Sequence, residues 1–382
     1  MQPIVFPDVP FDHELVTDLI QVERVRVDFR TEHSLDPLTL ELRGLFQHLT
    51  SMMSARIEGN RTTVAEAIQG TRAARAAGQR ADDAIQEILQ LEEATDHIDQ
   101  LAHEGRLRLN HQLVRDLHHL AVADLQREGD RTPGAYRRVP VAISGAEHQP
   151  PGPEAVQADM DQLLDFAQRE VPPQQQLLQI ALVHHRFTWI HPFSNGNGRV
   201  SRLLTYAMLV NQGYISSTSA RPVNPTAVFG ADRQSYYEHL ARADSLEPDD
   251  LFAWCAYVIH GLRADLSTVV RLADLAFVVD GIIVPALRAA VSAAVITPED
   301  ADIIEYAARR GTCRAGDFSE VIPGSSSTRS QRLRRLVSTG YLQILSNPRR
   351  YAVDLRRSPL TIHVVRRLDE LGMLPAILRD HD

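Results

Sequence analysis

Apolar residues recur at helical spacing along most of this chain. From Ala81 to His103 they return every three or four positions with charges between them, the pattern of an amphipathic helix, and residues up to about 105 share it. Gln176 to Ile190 is apolar with His184, His185 and Trp189 interspersed, and Val200 to Val210 is almost continuously apolar. These two stretches predict buried helices joined by a short polar loop. Thr132 to Gly145 instead alternates apolar and polar residues after Pro133-Gly134, which predicts a short β-hairpin, and Ala146 to Pro153 then predicts a rigid loop. Leu272 to Ile296 is the most apolar long region. Asp274, Asp280, Pro285 and Arg288 break it, so it reads as a buried or linking helix and not a membrane span. Beyond it, Thr297-Pro298-Glu299-Asp300 opens a helix, Asp317 to Ile322 forms a second, and Ser325 to Ser327 cap a third over Thr328 to Val337. Tyr341 to Leu345, Ser346 to Arg349 and Arg350 to Leu355 then read as strand, turn and strand. The fold class is mainly α.

The loop between the two apolar helices carries the chemistry: His191-Pro192-Phe193-Ser194-Asn195-Gly196-Asn197-Gly198-Arg199-Val200-Ser201-Arg202. Gly196 and Gly198 lack a Cβ, so the backbone can turn sharply and bring successive N–H groups up to an anion. The helix that follows turns its free N–H groups and positive dipole end toward the same loop. Arg199 and Arg202, three apart on the first turn, place two guanidinium groups on one side of that helix, where both can reach a polyphosphate. His191 enters just before the loop, where an imidazole can take a proton from a hydroxyl. Together these residues read as a phosphate site with a base beside it.

This stretch resembles the signature of Fic proteins, HPFx(D/E)GNGRxxR, and differs from it only at Asn195. Most members transfer AMP from ATP to a Ser, Thr or Tyr hydroxyl of a target protein. The resemblance implies that His191 is the general base, that Asn197 and the backbone of Gly196 and Gly198 hold the α- and β-phosphates, that Arg199 holds the β- and γ-phosphates, and that Arg202 clamps the γ-phosphate. Pro192 and Phe193 are expected to pack the loop. Asn195 stands where the family has the Asp or Glu that coordinates Mg²⁺. A neutral amide oxygen binds a cation more weakly, which leaves three readings open: weaker nucleotidyl transfer, an altered metal preference such as Mn²⁺, or a donor other than ATP.

Three further segments join this pattern by resemblance. Ser54-Ala55-Arg56-Ile57-Glu58-Gly59 is similar to the family's inhibitory motif, (S/T)xxxE(G/N). Glu58 is expected to pair with Arg202 and withhold the γ-phosphate clamp, with Gly59 ending its helix at a C′ position. In some relatives the same Glu positions a water that removes AMP. The hairpin with Val139, Val141 and Ile143 resembles the flap that pairs with an extended segment of the target. Tyr236 and Tyr237, and more weakly Asn224, stand where relatives surround the adenine.

The expected organisation is an N-terminal helical region over 1–105, a Fic catalytic core over 106–265, a linking helix over 266–295, a winged helix-turn-helix over 296–358 and a helical tail over 359–382. The winged-helix assignment rests on the order of its elements and is common after Fic cores. Arg329, Arg332 and Arg335 on its third helix, with Arg349 and Arg350 at the wing, are expected to meet DNA phosphates if it binds nucleic acid. Two functions stay open: an autoinhibited adenylyltransferase, or a DNA-binding regulator whose Fic core senses nucleotide.

Composition narrows the partners. The chain has 382 residues and a formal net charge of -9, which argues against indiscriminate nucleic-acid binding by its whole surface. All 40 basic residues are Arg. The two cysteines, Cys255 and Cys313, have no metal-ligand spacing, and the first residues lack the basic start and apolar core of a signal peptide, so a reducing, cytoplasmic setting is expected. The expected partners are ATP, a divalent cation, a target protein with a modifiable hydroxyl and a second copy of the chain, with no membrane.

Overall fold

The structure is a computed structural model that describes residues 2–28, 36–78, 80–215, 228–345 and 349–379. Its centre is a helical bundle. Helices α1 (Glu14–Asp28), α2 (Pro37–Ile57), α3 (Val64–Ala77) and α4 (Asp83–His103) make up the N-terminal part. α5 (His111–Val122), α6 (Val156–Gln168), α7 (Pro173–Ile190) and α8 (Asn197–Asn211) follow. α9 (Val228–Ala231), α10 (Arg233–Ala243) and α11 (Pro248–Ala273) complete the bundle. α8 buries almost every residue, from Val200 to Val210, because α2, α4, α5 and α7 surround it. This explains why its sequence is apolar all round. Trp254 of α11 anchors the opposite side. It is fully buried, and its indole N–H donates to Ala181 O at 2.7 Å.

The predicted linking helix falls into two pieces. α11 runs on to Ala273, and Asp274 caps a new rod made of α12 (Leu275–Phe277), a π turn (Val278–Ile283) and α13 (Val284–Ser292). The 18 residues Leu275–Ser292 are long and apolar enough to cross a membrane by length and composition. Here 44% of that segment is buried, with Val279, Ile282, Ile283 and Leu287 among its covered residues and α14 (Pro298–Arg310) and α16 (Thr361–Glu370) packed on it.

After α14 come a 3₁₀ turn (Asp317–Glu320), α15 (Ser326–Ser338), and a two-stranded antiparallel sheet of β1 (Leu342–Leu345) and β2 (Arg350–Val353), with Leu342 opposite Val353. Cys313 adds a single bridge to Tyr351. The predicted turn residues Ser346, Asn347 and Pro348 lie outside the described residues, as does Asn224. Thr297 and Ser325 cap α14 and α15 as their sequence suggests. The arginines expected to face DNA make contacts within the module. Arg332 Nε meets Asp300 Oδ1 at 3.1 Å, Arg335 meets Asp300 Oδ2 at 2.5 Å, and Arg329 donates to Gly324 O at 2.8 Å. Arg350 donates to Thr312 Oγ1 at 2.9 Å, and Arg349 lies over the Tyr351 ring.

The hairpin expected over 132–145 does not form. The two-stranded sheet lies in the C-terminal module instead, and among the described residues 132–145 contain no strand. Pro140 has no N–H to give to a ladder, and an isolated two-stranded hairpin gains too little to form alone. The segment is held from outside: Arg137 N–H donates to Pro192 O at 2.9 Å. Val139 is left exposed, and Val141 and Ile143 are half-buried.

The C-terminal module docks on α2. Glu41, buried on that helix, accepts from Gln343 Nε2 at 2.8 Å, Leu355 N–H at 2.9 Å and Arg356 N–H at 3.3 Å. Hydrogen bonds to a charged acceptor are worth about 1.5–3 kcal/mol. Glu41→Ala is therefore expected to destabilise the chain by about 2 kcal/mol and to expose residues 340–356 to limited proteolysis. An unchanged melting curve with unchanged cleavage would show that the module does not rely on this carboxylate.

Candidate active site

α7 delivers His191 to the site by ending there. His191 N–H bonds to Phe187 O at 3.0 Å, and the residue turns into the left-handed region at φ 51 and ψ 62. A non-glycine residue holds that backbone only where its surroundings fix it. Arg137, almost fully buried, does so: Nε donates to His191 O at 2.7 Å, and Nη2 donates to Pro151 O at 2.5 Å and Ile190 O at 3.3 Å. The His191 Nδ1 lies 3.2 Å from Thr188 O, an acceptor only, so Nδ1 carries the proton and Nε2 keeps its lone pair. Burial pushes the imidazole down to about 4, while the Thr188 carbonyl acts in the opposite direction. His191 is therefore neutral at physiological pH.

The loop that follows is closed by its own side chains. Asn197 Oδ1 accepts from Phe193 N–H and its Nδ2 donates to Phe193 O, both at 2.9 Å. This side chain is a clamp on the loop. His118 stacks on Phe193 with ring centroids 3.7 Å apart and an interplanar angle of 5°. It accepts from Gly134 N–H at 2.9 Å and donates to Asn195 O at 3.2 Å. Burial pushes His118 down to about 4, which keeps it in the neutral form those two bonds require. Gly196, at φ 76, leaves no room for a Cβ beside Val122. No side chain caps α8.

Glu58 stands at that uncapped end. α2 closes in a Schellman turn: Asn60 N–H bonds to Ala55 O at 3.1 Å, Gly59 N–H bonds to Arg56 O at 3.0 Å, and Gly59 takes φ 103. The turn aims Glu58 at α8, where Oε1 accepts from Arg202 Nη2 at 2.7 Å and lies where a Cβ on Gly198 would be. Ser54 completes the grip on Arg202, its hydroxyl accepting from Nε at 2.8 Å and its carbonyl from Nη2 at 3.0 Å. Burial would raise the Glu58 carboxyl. Arg202 and then Arg199 outweigh it and hold the group below its ordinary value. The stabilisation from this ion pair is complete above the ordinary carboxylate range and is lost only as pH falls through the depressed value.

Arg199 lies beneath the loop, close to Gly196. It is fully buried, with Nη1 on Glu87 Oε1 at 2.9 Å and Nη2 on Glu128 O at 2.7 Å. Tyr236 is buried beside Arg202. Its hydroxyl bonds to His184 Nε2 at 2.9 Å, and its ring packs with Phe229 and Trp254 in the core. Tyr237 is the exposed member of the pair, 41% accessible, with Arg233 over its ring.

The motif position expected to hold Mg²⁺ is a neutral amide engaged within the loop. Asn195 Oδ1 already accepts from Gly196 N–H at 2.7 Å, and Nδ2 donates to Gly129 O at 3.2 Å. Among the described residues no group of three or more His, Cys, Asp or Glu could hold a metal.

Several residues that build the site escaped the sequence reading. His118 and Arg137 have no spacing that marks them. Glu87 does have a signal, because it lies on the apolar stripe of α4 between Ala84, Ile88 and Leu91, where a charge needs a partner.

Comparison with known proteins follows the same residues. Residues 108–209 match the family model described as Fic/DOC family. The protein named Protein adenylyltransferase Fic from Nematostella vectensis is 34% identical over 112 residues, covering 29% of this chain and 24% of that protein. The protein of the same name from Drosophila willistoni is 29% identical over 201 residues, covering 52% of this chain and 37% of that protein. The chain thus spans less than half the length of these curated relatives. The crystal structure of a Fic family protein from Desulfovibrio desulfuricans G20 has a TM-score of 0.56 at 22% identity, covering 92% of this chain and 98% of that one. A Fic domain containing signaling protein from Bacteroides thetaiotaomicron has a TM-score of 0.53 at 21% identity, covering 67% of this chain and 96% of that one. At these identities the structural likeness concerns the fold.

Gly198→Ala tests the packing of Glu58 on α8. Its methyl group is expected to push the Glu58 carboxylate off Arg202, so that the Glu58 titration rises toward the ordinary carboxylate range when followed by NMR. A titration that stays depressed would mean that Glu58 does not lie against Gly198.

Proposed function

We propose that this chain, whose residues 108–209 match the Fic/DOC family model, is an autoinhibited protein adenylyltransferase of that family that moves AMP from ATP to a Ser, Thr or Tyr hydroxyl of a target protein or of itself. The observation that carries the reading is Glu58. A carboxylate from α2 lies against Gly198 and on Arg202, at the uncapped end of α8, where the terminal phosphate of a nucleotide would otherwise sit. An anion site is built here and filled from within the chain.

The chemistry needs few groups. The target oxygen attacks the α-phosphorus, a new O–P bond forms, the bond to the bridging oxygen breaks, and pyrophosphate leaves. The hydroxyl proton passes to Nε2 of His191, which is free because Nδ1 is committed to Thr188 O. Arg202 and the open N–H groups of α8 hold phosphate charge once Glu58 has left. The segment with Val139 exposed and Val141 and Ile143 half-buried is the part of the site suited to an extended target segment. Tyr237 and Arg233 lie close to Glu58.

Intact-mass spectrometry after incubation with ATP and Mg²⁺ or Mn²⁺ tests this directly. Glu58→Gly is expected to gain one AMP, with at least tenfold more adduct than wild type. Glu58→Gly/His191→Ala is expected to gain none. Equal adduct in wild type and Glu58→Gly would remove the inhibitory role, and no adduct in any protein under either metal would remove AMP transfer.

The pH dependence carries a separate expectation. A base pushed down to about 4 is deprotonated throughout the range above that value. In Glu58→Gly the rate should therefore hold as pH falls from 7.5 to 5.5, where an unperturbed histidine would already be half protonated at about 6.5. A rate that halves near 6.5 would contradict the buried, neutral His191.

A further inference from the structure

The two arginines of the loop are held in different ways. Arg202 faces Glu58, whose side chain is 25% exposed, so its partner can withdraw into solvent. Arg199 has no exposed surface, and Glu87, its counter-ion, is only 3% exposed. Besides Glu87, Arg199 donates to Glu128 O at 2.7 Å and Ala121 O at 3.4 Å. To turn Arg199 toward a phosphate would take away the counter-charge of a buried carboxylate and leave it the neutral Asn60 amide as donor, and breaking a buried pair in this way is strongly unfavourable.

The other oxygen of Glu87 leads back to the inhibitory segment. Glu87 Oε2 accepts from Asn60 Nδ2 at 2.9 Å, and the same amide nitrogen donates to Ala84 O at 2.9 Å. Asn60 Oδ1 accepts from Thr62 N–H at 3.0 Å, and Asn60 N–H closes the Schellman turn that aims Glu58. A continuous line of contacts thus runs from Arg199 on α8, through Glu87 on α4, to the residue two positions beyond Glu58.

We infer that Glu87 is a positioning residue for the phosphate site: it is the permanent partner of Arg199, and through Asn60 it sets where Glu58 lies against the loop. This rests on the reading of the loop as a nucleotide site. It makes Arg199 a strut of that site and leaves Arg202 as the arginine that meets a terminal phosphate.

Charge-conserving variants of the full chain separate the two roles by calorimetric titration with ATP and ADP. In a Glu58→Gly background, Arg202→Lys is expected to abolish most of the preference for ATP over ADP. Arg199→Lys and Glu87→Asp are expected to weaken both nucleotides by a common factor of three to ten, to leave the ratio intact, and not to add when combined. Loss of the ATP preference in Arg199→Lys, or affinity in Glu87→Asp that is unchanged or tighter, would overturn the inference. A second measurement needs no nucleotide. Asn60→Ala, which changes no charge, should raise the Glu58 titration in the otherwise unaltered chain, and an unmoved titration would refute the link. If Glu58→Gly binds neither nucleotide, the nucleotide-site reading fails while the Glu58 titration still decides the inference.

Discussion

An uncapped helix end in the middle of a protein favours a negative charge beside it, and at α8 that charge is the carboxylate of Glu58. Much of the surrounding structure follows from placing it there. Gly198 must lack a Cβ because Oε1 takes up that space. Gly59 must reach φ 103 so that α2 can stop and turn Glu58 inward. Ser54, one helical turn before Glu58, takes up two further donors of Arg202. The same groups that suit this carboxylate suit a phosphate, which is the basis of the autoinhibition proposed above.

The helix that carries Glu58 also carries the C-terminal module. Glu41 near its start holds the backbone of Leu355 and Arg356, and Arg56 near its end donates to Ile377 O at 2.6 Å. α2 is therefore fixed at two points to parts of the chain more than 300 residues away in sequence. A displacement of α2 large enough to withdraw Glu58 has to be accommodated at both. The π turn at Val278–Ile283, under α14 and α16, lies in the rod that joins the bundle to that module.

The parts of this protein that can be read from sequence are those in which local chemistry and tertiary structure agree. The apolar run Val200 to Val210 is a buried helix, and the helices packed around it cover the apolar surface that its sequence offers. Gly59 and the Glu58 before it mark a helix end that the fold then uses. Reading fails where a residue's partner is distant. The alternation over 132–145 is genuine, but the partner of Arg137 is Pro192 and the loop before it, so no strand pairing results. Tyr236 and Tyr237 look alike in sequence, yet His184, far along the chain, takes one hydroxyl into the core and leaves the other ring at the surface. The arginines on α15 read as a basic face, and Asp300 on the neighbouring helix absorbs two of them.

The central claim is that Glu58 and a terminal phosphate compete for one place beside Gly198 and Arg202. Crystal structures of wild type and of Glu58→Gly, each soaked with a non-hydrolysable ATP analogue, test it most directly. The account predicts that in Glu58→Gly the γ-phosphate lies on Arg202 where the carboxylate was, and that in wild type this phosphate is disordered or displaced. A wild-type structure with the triphosphate fully ordered on Arg202 and the Glu58–Arg202 pair intact would contradict it.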